Sequence, residues 1–356
     1  MSTTTRAERR GSRIIGWRAS MSPSYVECGL MGTDLVKPGL SWSRSRSAVF
    51  NACRRQYFYK HHLSWDGWKH DAPERRRLAY RLSKMTSFPF LAGIAAHEAI
   101  RRTLCSVRDG RPLRMSSVDV ARDVIKRVKD GAVGRGWLQR PKAYPPLEEY
   151  YYDGNPSPEE RERWWKVAKS SVEAFTASPL FAWIRRSNPA DWLAVDEPAN
   201  YDNPEVFEID GCRVWCRPDF AMRWRDKCLI FDWKTGSPKD DDRRQLHAYA
   251  LHARACWGFD TSNIRTVAVH LGEFGVLRRA FKVTRDALDA VEADIRGELF
   301  EMRKAESAGD VEEHWALATD AAACTRCFFR EICPAVSAVP AHKRTEVRER
   351  FTGEPV

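Results

Sequence analysis

The feature that most constrains this 356-residue chain is the stretch from Cys212 to Gly236, CRVWCRPDFAMRWRDKCLIFDWKTG. Two runs of β-forming residues flank a polar Arg-Asp-Lys turn, which predicts a β-hairpin. Because side chains two apart on a strand share a face, Asp232 and Lys234 lie together, and the aromatic residues beside them point to the opposite face. Asp219 lies on the partner strand, so three charged groups meet at one end of the hairpin.

Burying a carboxylate costs roughly several kcal/mol of free energy unless the carboxylate is paired or binds a metal. One interpretation is therefore an ordinary ion pair between Lys234 and an acid at a solvated sheet edge. The other follows from the whole string, Pro218-Asp219, then twelve residues, then Asp232-Trp233-Lys234. This string resembles the motif of the PD-(D/E)xK nuclease superfamily. The resemblance implies that Asp219 and Asp232 bind a divalent metal and that Lys234 assists the attacking water.

The residue types suit this chemistry. Mg²⁺ prefers carboxylate oxygens and keeps several waters, and a bound metal acidifies water and neutralises charge that develops on phosphate. The resemblance also implies that the carbonyl of Trp233 is a further ligand. It includes a Gln-x-x-x-Tyr pair, Gln245 and Tyr249, which lies on one face of a helix predicted over residues 240–257 and would position the phosphate.

A histidine on a second predicted helix extends the resemblance. Residues 88–104 predict this helix, in which Gly93 and His97 share one face. A single helical histidine is usually a core or surface residue. The Gly-x-x-x-His-Glu pattern, however, resembles the histidine motif of the RecB-like branch of the superfamily, and it implies that His97 is an additional metal ligand, which imidazole suits for Mn²⁺.

Four cysteines form a second candidate site. Cys324, Cys327 and Cys333 lie within ten positions, and such spacing indicates zinc, a redox disulfide or an iron–sulfur cluster. A four-thiolate site needs one more ligand, and Cys53 is the candidate, because it is followed by Arg-Arg-Gln-Tyr in the first predicted helix. The arrangement resembles the iron–sulfur nucleases of the AddB type and the CRISPR-associated exonucleases, and it implies a structural 4Fe-4S cluster, with zinc or no metal as the alternatives.

Composition limits the partners. The formal net charge is +11 and the isoelectric point about 9.2, an excess that favours nucleic acid. No apolar run approaches the roughly 18 residues that a transmembrane helix needs, and no secretory signal is evident. Ten cysteines without such a signal argue against a disulfide framework. The expected location is the cytoplasm, and the expected partner is DNA, single-stranded or as duplex ends.

The remaining pattern predicts an α/β fold of the restriction-endonuclease type, with a mixed central sheet flanked by helices. We predict a disordered basic arm over residues 1–40, a nuclease domain over 41–334 with a helical insertion at about 105–190, and a C-terminal tail over 335–356. The segment 40–63 is predicted as a helix, and the basic segment 71–87 as irregular. Thr284 is expected to begin a long helix with an apolar stripe.

Two functions follow. The first is a metal-dependent DNA nuclease, an exonuclease by resemblance, acting in repair, recombination or phage- or CRISPR-type DNA processing. No ATP-binding Gly-x-x-x-x-Gly-Lys-Ser/Thr motif occurs, so any helicase would be a separate chain. The second is a non-catalytic scaffold that binds nucleic acid and contains a zinc or iron–sulfur site. The intact Asp-Asp-Lys set favours the first.

Overall fold

Two β-sheets organise the part of the chain that the computed structural model describes, which is residues 39–154, 156–196, 206–307, 309, 311–320 and 322–334. The predicted tail, nearly all of the predicted basic arm, and Cys28 lie outside these residues. The strands within them are β1 (Ser41–Ser43), β2 (Trp192–Val195), β3 (Phe207–Ile209), β4 (Cys212–Trp215), β5 (Phe220–Trp224), β6 (Lys227–Lys234), β7 (Ile264–Gly272) and β8 (Gly275–Phe281).

The larger sheet has the order β2-β5-β6-β7-β8. Strands β6 and β7 pair in parallel, and the other neighbours pair antiparallel. A parallel pair requires a crossover connection, and a helix between β6 and β7 provides it. The smaller sheet has the order β1-β4-β3. In it, β1 pairs in parallel with β4, and β3 pairs antiparallel with β4.

Helices cover both faces of the larger sheet. They are α1 (Arg44–Ala52), α2 (Arg54–Phe58), α3 (Glu74–Ser83), α4 (Phe88–Arg108), α5 (Ser117–Val133), α6 (Glu148–Tyr151), α7 (Pro158–Ala177), α8 (Pro179–Ile184), α9 (Asp241–Cys256), α10 (Arg285–Glu306) and α11 (Ala322–Thr325). A π-helical turn, Tyr59–Leu63, continues α2. Single 3₁₀ turns are found at Gly136–Leu138, Pro189–Asp191, Thr261–Asn263 and Glu312–His314. None of the described helices is long and apolar enough to span a membrane.

The alternation along β6 decides which helices lie on which face. Ile230 joins the core beneath α9 and α10, whereas Phe231 and Trp233 join the core beneath α7 and α8. The rings of Phe175, on α7, and Trp233 meet edge to face at 5.0 Å between centroids. A mixed sheet with helices on both faces confirms the predicted α/β fold.

Several local predictions are confirmed. The β5–β6 hairpin closes through Arg225-Asp226, and Arg225 has a positive φ of 56°, as tight hairpin turns require. Ser43 and Thr284 cap α1 and α10 with their hydroxyl groups. The apolar stripe of α10 is buried, with Leu288, Val291, Ile295, Leu299 and Met302 facing the core.

Two local predictions are wrong. The segment 71–87 is not irregular, because α3 forms within it and buries Ala79 and Leu82. The helix predicted over 40–63 is interrupted at Cys53, whose extended backbone ends α1 and begins α2. The region 105–190 is largely helical, and α4, α5 and α7 share one apolar cluster. Its limits as an insertion stay a prediction.

Candidate active site

The two predicted acids lie opposite each other at one end of the β5–β6 hairpin. Asp219 immediately precedes β5, and Asp232 lies two residues before the end of β6. Phe220 pairs with Phe231, so the same register places Asp219 beside Asp232. The Asp219 and Asp232 side chains are 10% and 3% exposed. Two buried carboxylates this close disfavour simultaneous ionisation unless a cation joins them.

Helix α4 brings His97 to this pair of acids. His97 Nδ1 lies 3.2 Å from Asp219 Oδ1, and Asp219 Oδ2 accepts a hydrogen bond of 2.6 Å from the backbone N–H of Trp233. One turn before His97, a Cβ built at Gly93 would contact Thr235 Oγ1 at 3.4 Å. This is an ordinary van der Waals distance, so α4 lies against the end of β6 and the space at position 93 would also accept alanine.

A polar network joins β6 to α9 on the same side. Lys234 Nζ donates to Gln245 Oε1 at 2.7 Å, and Gln245 Nε2 donates to Asp232 Oδ1 at 3.1 Å and to Tyr249 Oη at 2.7 Å. Lys234 Nζ also lies 2.6 Å from Asp232 Oδ2, in a close ion pair that lacks hydrogen-bond geometry. The structure thus brings together every side chain that the sequence predicted for the active site.

The sequence analysis did not identify Asp196, which belongs to the same cluster. It follows β2, and its backbone N–H donates to the Asp219 carbonyl at 3.1 Å. His97, Asp196 and Asp219 each offer a ligand atom within 4.8 Å of the others. The available signal was an acid directly after the apolar run Leu193-Ala194-Val195, but nothing local showed that this strand pairs with β5.

The carboxylates of the cluster repel one another, although Lys234, His97 and Arg217 each pair with one of them. Burial and the charge of Asp219 raise the pKa of Asp232 to about 7, although Lys234 opposes this. Burial and Asp219 also raise the pKa of Asp196 to about 6. Burial lowers the pKa of His97, but the carboxylates of Asp219, Asp232 and Asp196 outweigh it and raise that pKa to about 9. Without a further cation, the cluster retains protons that isolated groups would lose.

The donor set fits a divalent metal ion. Carboxylate oxygens of Asp196 and Asp219 converge with the imidazole of His97, and Asp232, which is paired with Lys234, lies beside Asp219. Hard divalent cations select such oxygen ligands, with imidazole as an accepted partner for Mn²⁺. Burial and repulsion from Asp219 raise the pKa values of Asp232 and Asp196, and a bound cation would offset that repulsion.

The second predicted site lies where α1 meets α2. The Sγ atom of Cys53 accepts from the Gln56 backbone N–H at 3.4 Å. Burial, together with the neighbouring thiols of Cys53, Cys333 and Cys324, raises the pKa of Cys327 to about 12. The thiol of Cys53, about 270 residues earlier in the sequence, therefore interacts electrostatically with those of Cys324 and Cys327. Among the described residues, however, no three of these cysteines have sulfur atoms within 4.8 Å of one another, and all four are free thiols.

The segment that contains Cys324, Cys327 and Cys333, here called the cysteine segment, is connected to the rest of the fold by buried ion pairs and hydrogen bonds. Arg330 Nη1 donates to Glu148 Oε1 at 2.8 Å, and the Arg330 guanidinium lies 3.5 Å from the centroid of the Tyr152 ring. The Tyr152 hydroxyl donates to the Phe328 carbonyl at 2.8 Å. On the other side, Arg55 Nε donates to the Trp315 carbonyl at 2.7 Å. These contacts connect the segment to α6 and to α2.

Comparison with known proteins gives one result. The family model described as the PD-(D/E)XK nuclease superfamily matches residues 41–334, which are most of the chain and include both candidate sites. No curated protein matches the chain significantly. The matched span covers the sheet, the hairpin acids and the lysine described above. This chain therefore belongs to the PD-(D/E)XK nuclease superfamily.

Proposed function

We propose that this protein is a metal-dependent deoxyribonuclease that hydrolyses phosphodiester bonds as an exonuclease on single strands or DNA ends. The observation that carries the proposal is the convergence of Asp196, Asp219 and Asp232 with His97 beside Lys234. Such a cluster is costly to maintain in an apolar sheet. Metal-assisted hydrolysis gives these residue types a use that an ion pair at a sheet edge does not.

The side chains then have distinct roles. Asp219, Asp232, His97 and Asp196 would hold Mg²⁺ or Mn²⁺, and the Trp233 carbonyl stays a predicted further ligand. A metal ion bound there would acidify water and stabilise charge on the phosphate. Lys234, held between Asp232 and Gln245, orients the attacking water and adds positive charge to the transition state.

Gln245 and Tyr249 lie on α9 and line one side of the site. The Gln245 amide bridges Asp232 and the Tyr249 hydroxyl, so its orientation is fixed before substrate binds. A neighbouring carboxylate pair and burial hold the pKa of Tyr249 well above its ordinary value, and its hydroxyl therefore remains a donor. We assign this pair to positioning the scissile phosphate, since fixed donors lose little entropy when they bind.

A preference for unpaired strands rests on the exposed face of α4. Phe90 and Ile94 are 62% and 52% exposed and precede His97 by seven and three residues, so they share its helix face. Stacking on exposed aromatic side chains is a sequence-tolerant way to bind single-stranded bases. The net charge of +11 suits the phosphates.

We also infer a structural 4Fe-4S cluster held by Cys53, Cys324, Cys327 and Cys333, which would place the chain in the RecB-like branch with iron–sulfur proteins. The spacing of the three late cysteines in the sequence and the electrostatic interaction of the Cys324 and Cys327 thiols with that of Cys53 support the inference. Zinc remains the alternative, since four thiolates suit both. Such a site would connect α2 to the C-terminal segment of the nuclease domain, 41–334.

The remaining inferences rest on the resemblance. They are action in DNA repair, recombination or phage- or CRISPR-type DNA processing, a separate helicase or processing subunit as partner, and a cytoplasmic location. The rival function, a non-catalytic nucleic-acid-binding scaffold, would have no need to retain Asp232 and Lys234 at the cost of burying them.

An end-labelled cleavage assay tests the proposal. Single-stranded and blunt duplex DNA are incubated with the protein in Mg²⁺, Mn²⁺ or EDTA. The expected result is progressive shortening of the single strand with either metal and no cleavage in EDTA. Internal cleavage of closed circular DNA would replace the exonuclease assignment with an endonuclease. Binding without cleavage in every metal would support the scaffold.

A further inference from the structure

A cluster of basic side chains lies before helix α4 and takes no part in the catalytic network. It consists of Arg46 on α1, Lys60 and His61 in the π-helical turn, Lys84 at the end of α3, and Lys142 in the loop before α6. We call this set the basic cluster. The π-helical turn packs against α3, and Arg46 Nη2 lies 3.4 Å from His61 Nδ1. The juxtaposition is therefore a property of the fold and not of one helix face.

The contacts of the basic cluster leave its charge largely uncompensated. Among the described residues, no carboxylate forms an ion pair with Lys60, Lys84 or Lys142, and Lys84 Nζ lies only over the Tyr80 ring, 5.1 Å from its centroid. Arg46 donates to Ser41 Oγ at 2.8 Å and faces the charge of Glu306. That glutamate already accepts from the Tyr57 hydroxyl.

His61 adds an unsatisfied donor to the same cluster. Arg46 Nη2 lies 3.4 Å from His61 Nδ1. Since a guanidinium can only donate, Nδ1 is the acceptor and Nε2 has the hydrogen. His61 Nε2 is buried and has no hydrogen-bond partner in the described part of the chain. A buried donor without an acceptor costs about 1–3 kcal/mol, and a π-helical turn frequently marks a functional site.

The side chains of the basic cluster also repel one another. Burial and the like charges of Lys142 and Lys60 lower the pKa of Lys84 to about 8. Burial and the charge of Arg46 lower the pKa of Lys60. Half-buried lysines held together against their repulsion destabilise the free protein, and an anion bound between them would remove this cost.

We propose that the basic cluster is a phosphate-binding site that holds the nucleic-acid strand while the catalytic cluster cleaves it. This proposal rests on the proposed function for the identity of the ligand. Lys84 precedes α4 by four residues, and His97 lies about 14 Å along the helix from Phe88 at 1.5 Å per residue.

The test compares two double variants with equal loss of charge. Lys60→Ala/Lys84→Ala removes two members of the basic cluster. Lys126→Ala/Lys129→Ala removes two exposed lysines of α5, each of which lies near Asp130. Affinity for a fluorescent single-stranded oligonucleotide is measured by anisotropy in EDTA, between 50 and 200 mM salt, so that binding is separate from cleavage.

We expect the Lys60/Lys84 variant to bind at least about tenfold more weakly at 100 mM salt. Its slope of log K against log salt should be smaller by about 1.4, since each single-strand phosphate contact contributes about 0.7. The Lys126/Lys129 variant should match the wild type. A thermal unfolding temperature at or above that of the wild type would show that the Lys60/Lys84 variant is folded, because the substitution relieves like-charge repulsion.

Parallel titrations with 5′-phosphorylated and 5′-hydroxyl strands identify the phosphate. A larger loss on the phosphorylated strand assigns the site to a terminal phosphate, and an equal loss assigns it to an internal one. Equal weakening by the two double variants, or wild-type affinity of the Lys60/Lys84 variant, would overturn the proposal. Metal-dependent cleavage by that variant would show that the nuclease function stands even where the phosphate site fails.

Discussion

Two sites in the molecule bury carboxylates but balance their charge differently. One is the catalytic cluster, which consists of His97, Asp196, Asp219, Asp232 and Lys234. The other is the anchor of the cysteine segment, which is the pair of Arg330 and Glu148. Glu148 is 4% exposed, and the guanidinium of Arg330 compensates its charge. Asp232 is as buried, yet Asp219 lies beside it and its pKa rises to about 7. A fully compensated charge contributes to folding, whereas carboxylates that repel one another disfavour the free protein and favour a bound cation, even where each has a basic partner. The difference separates a structural site from a chemical one.

Removing a catalytic side chain should affect activity far more than stability. Asp232→Asn and Lys234→Ala should each lower the cleavage rate by about 10³-fold or more, because metal binding and the positioned ammonium both act on the transition state. Asp232→Asn should leave the unfolding temperature unchanged or raised, since it removes carboxylate repulsion. Single-turnover cleavage and thermal unfolding of the same samples check this. Cleavage at the wild-type rate by both variants would contradict the assigned site.

Removing one partner of the anchor should have the reverse effect. Arg330→Met leaves Glu148 buried without its partner and should lower the free energy of unfolding by about 3–5 kcal/mol. Combining it with Glu148→Gln should recover part of that loss, because the orphaned charge disappears. Urea unfolding measures both. If Arg330→Met changed stability by less than the measurement error, the anchor would not be a structural element.

The proposed metal site of Cys53, Cys324, Cys327 and Cys333 is a second structural site to compare with the catalytic cluster. Protein purified without oxygen should contain about four irons per chain and absorb broadly near 400 nm, roughly where iron–thiolate clusters absorb. Cys53→Ala should remove the iron and lower thermal stability, because a metal site that forms only in the folded state contributes to folding. Cys105→Ala is the matched control and should retain the iron. One zinc and no colour would replace the cluster with zinc, and full iron in Cys53→Ala would exclude this ligand.

The smallest expected effect is the change in stability with pH. The folded-state pKa of His97 is raised to about 9 from an ordinary value of 6.5. Its contribution to stability is therefore complete below about pH 6.5 and is lost as the pH rises through about 9. In EDTA, the wild type should lose more stability between pH 7 and 9.5 than His97→Gln. Equal pH profiles for the two proteins would mean that His97 is not charged beside Asp219.

The sequence predicted the catalytic hairpin because its information is local. Asp219 and Asp232 are joined by one two-residue turn, and the alternation of a strand decides which side chains share a face. Asp196 could not be found in this way, because its place depends on the pairing of β2 with β5. Helix α3 was not predicted, because its arginines make the segment polar on average and its apolar stripe, Ala79 and Leu82, is short.

The basic cluster shows the same limit of local reading. Arg46, Lys60, Lys84 and Lys142 lie on four separate elements, and each looks like an ordinary solvated charge in its own segment. Only the packing of α1, α3 and the π-helical turn reveals their proximity. The proposed link between Cys53 and the late cysteines rests on resemblance to a family and stays a prediction, since no local pattern connects residues about 270 positions apart.

The central claim is that the adjacent carboxylates of the catalytic cluster form a cation site. Thermal unfolding of the wild type and of Asp219→Asn, each with EDTA or saturating Mn²⁺, tests it most directly. A ligand that binds only the folded state stabilises it by mass action. We predict that Mn²⁺ raises the unfolding temperature of the wild type, whereas the unfolding temperature of Asp219→Asn does not respond to Mn²⁺. An equal response of both proteins to Mn²⁺, or no response of the wild type, would contradict the account.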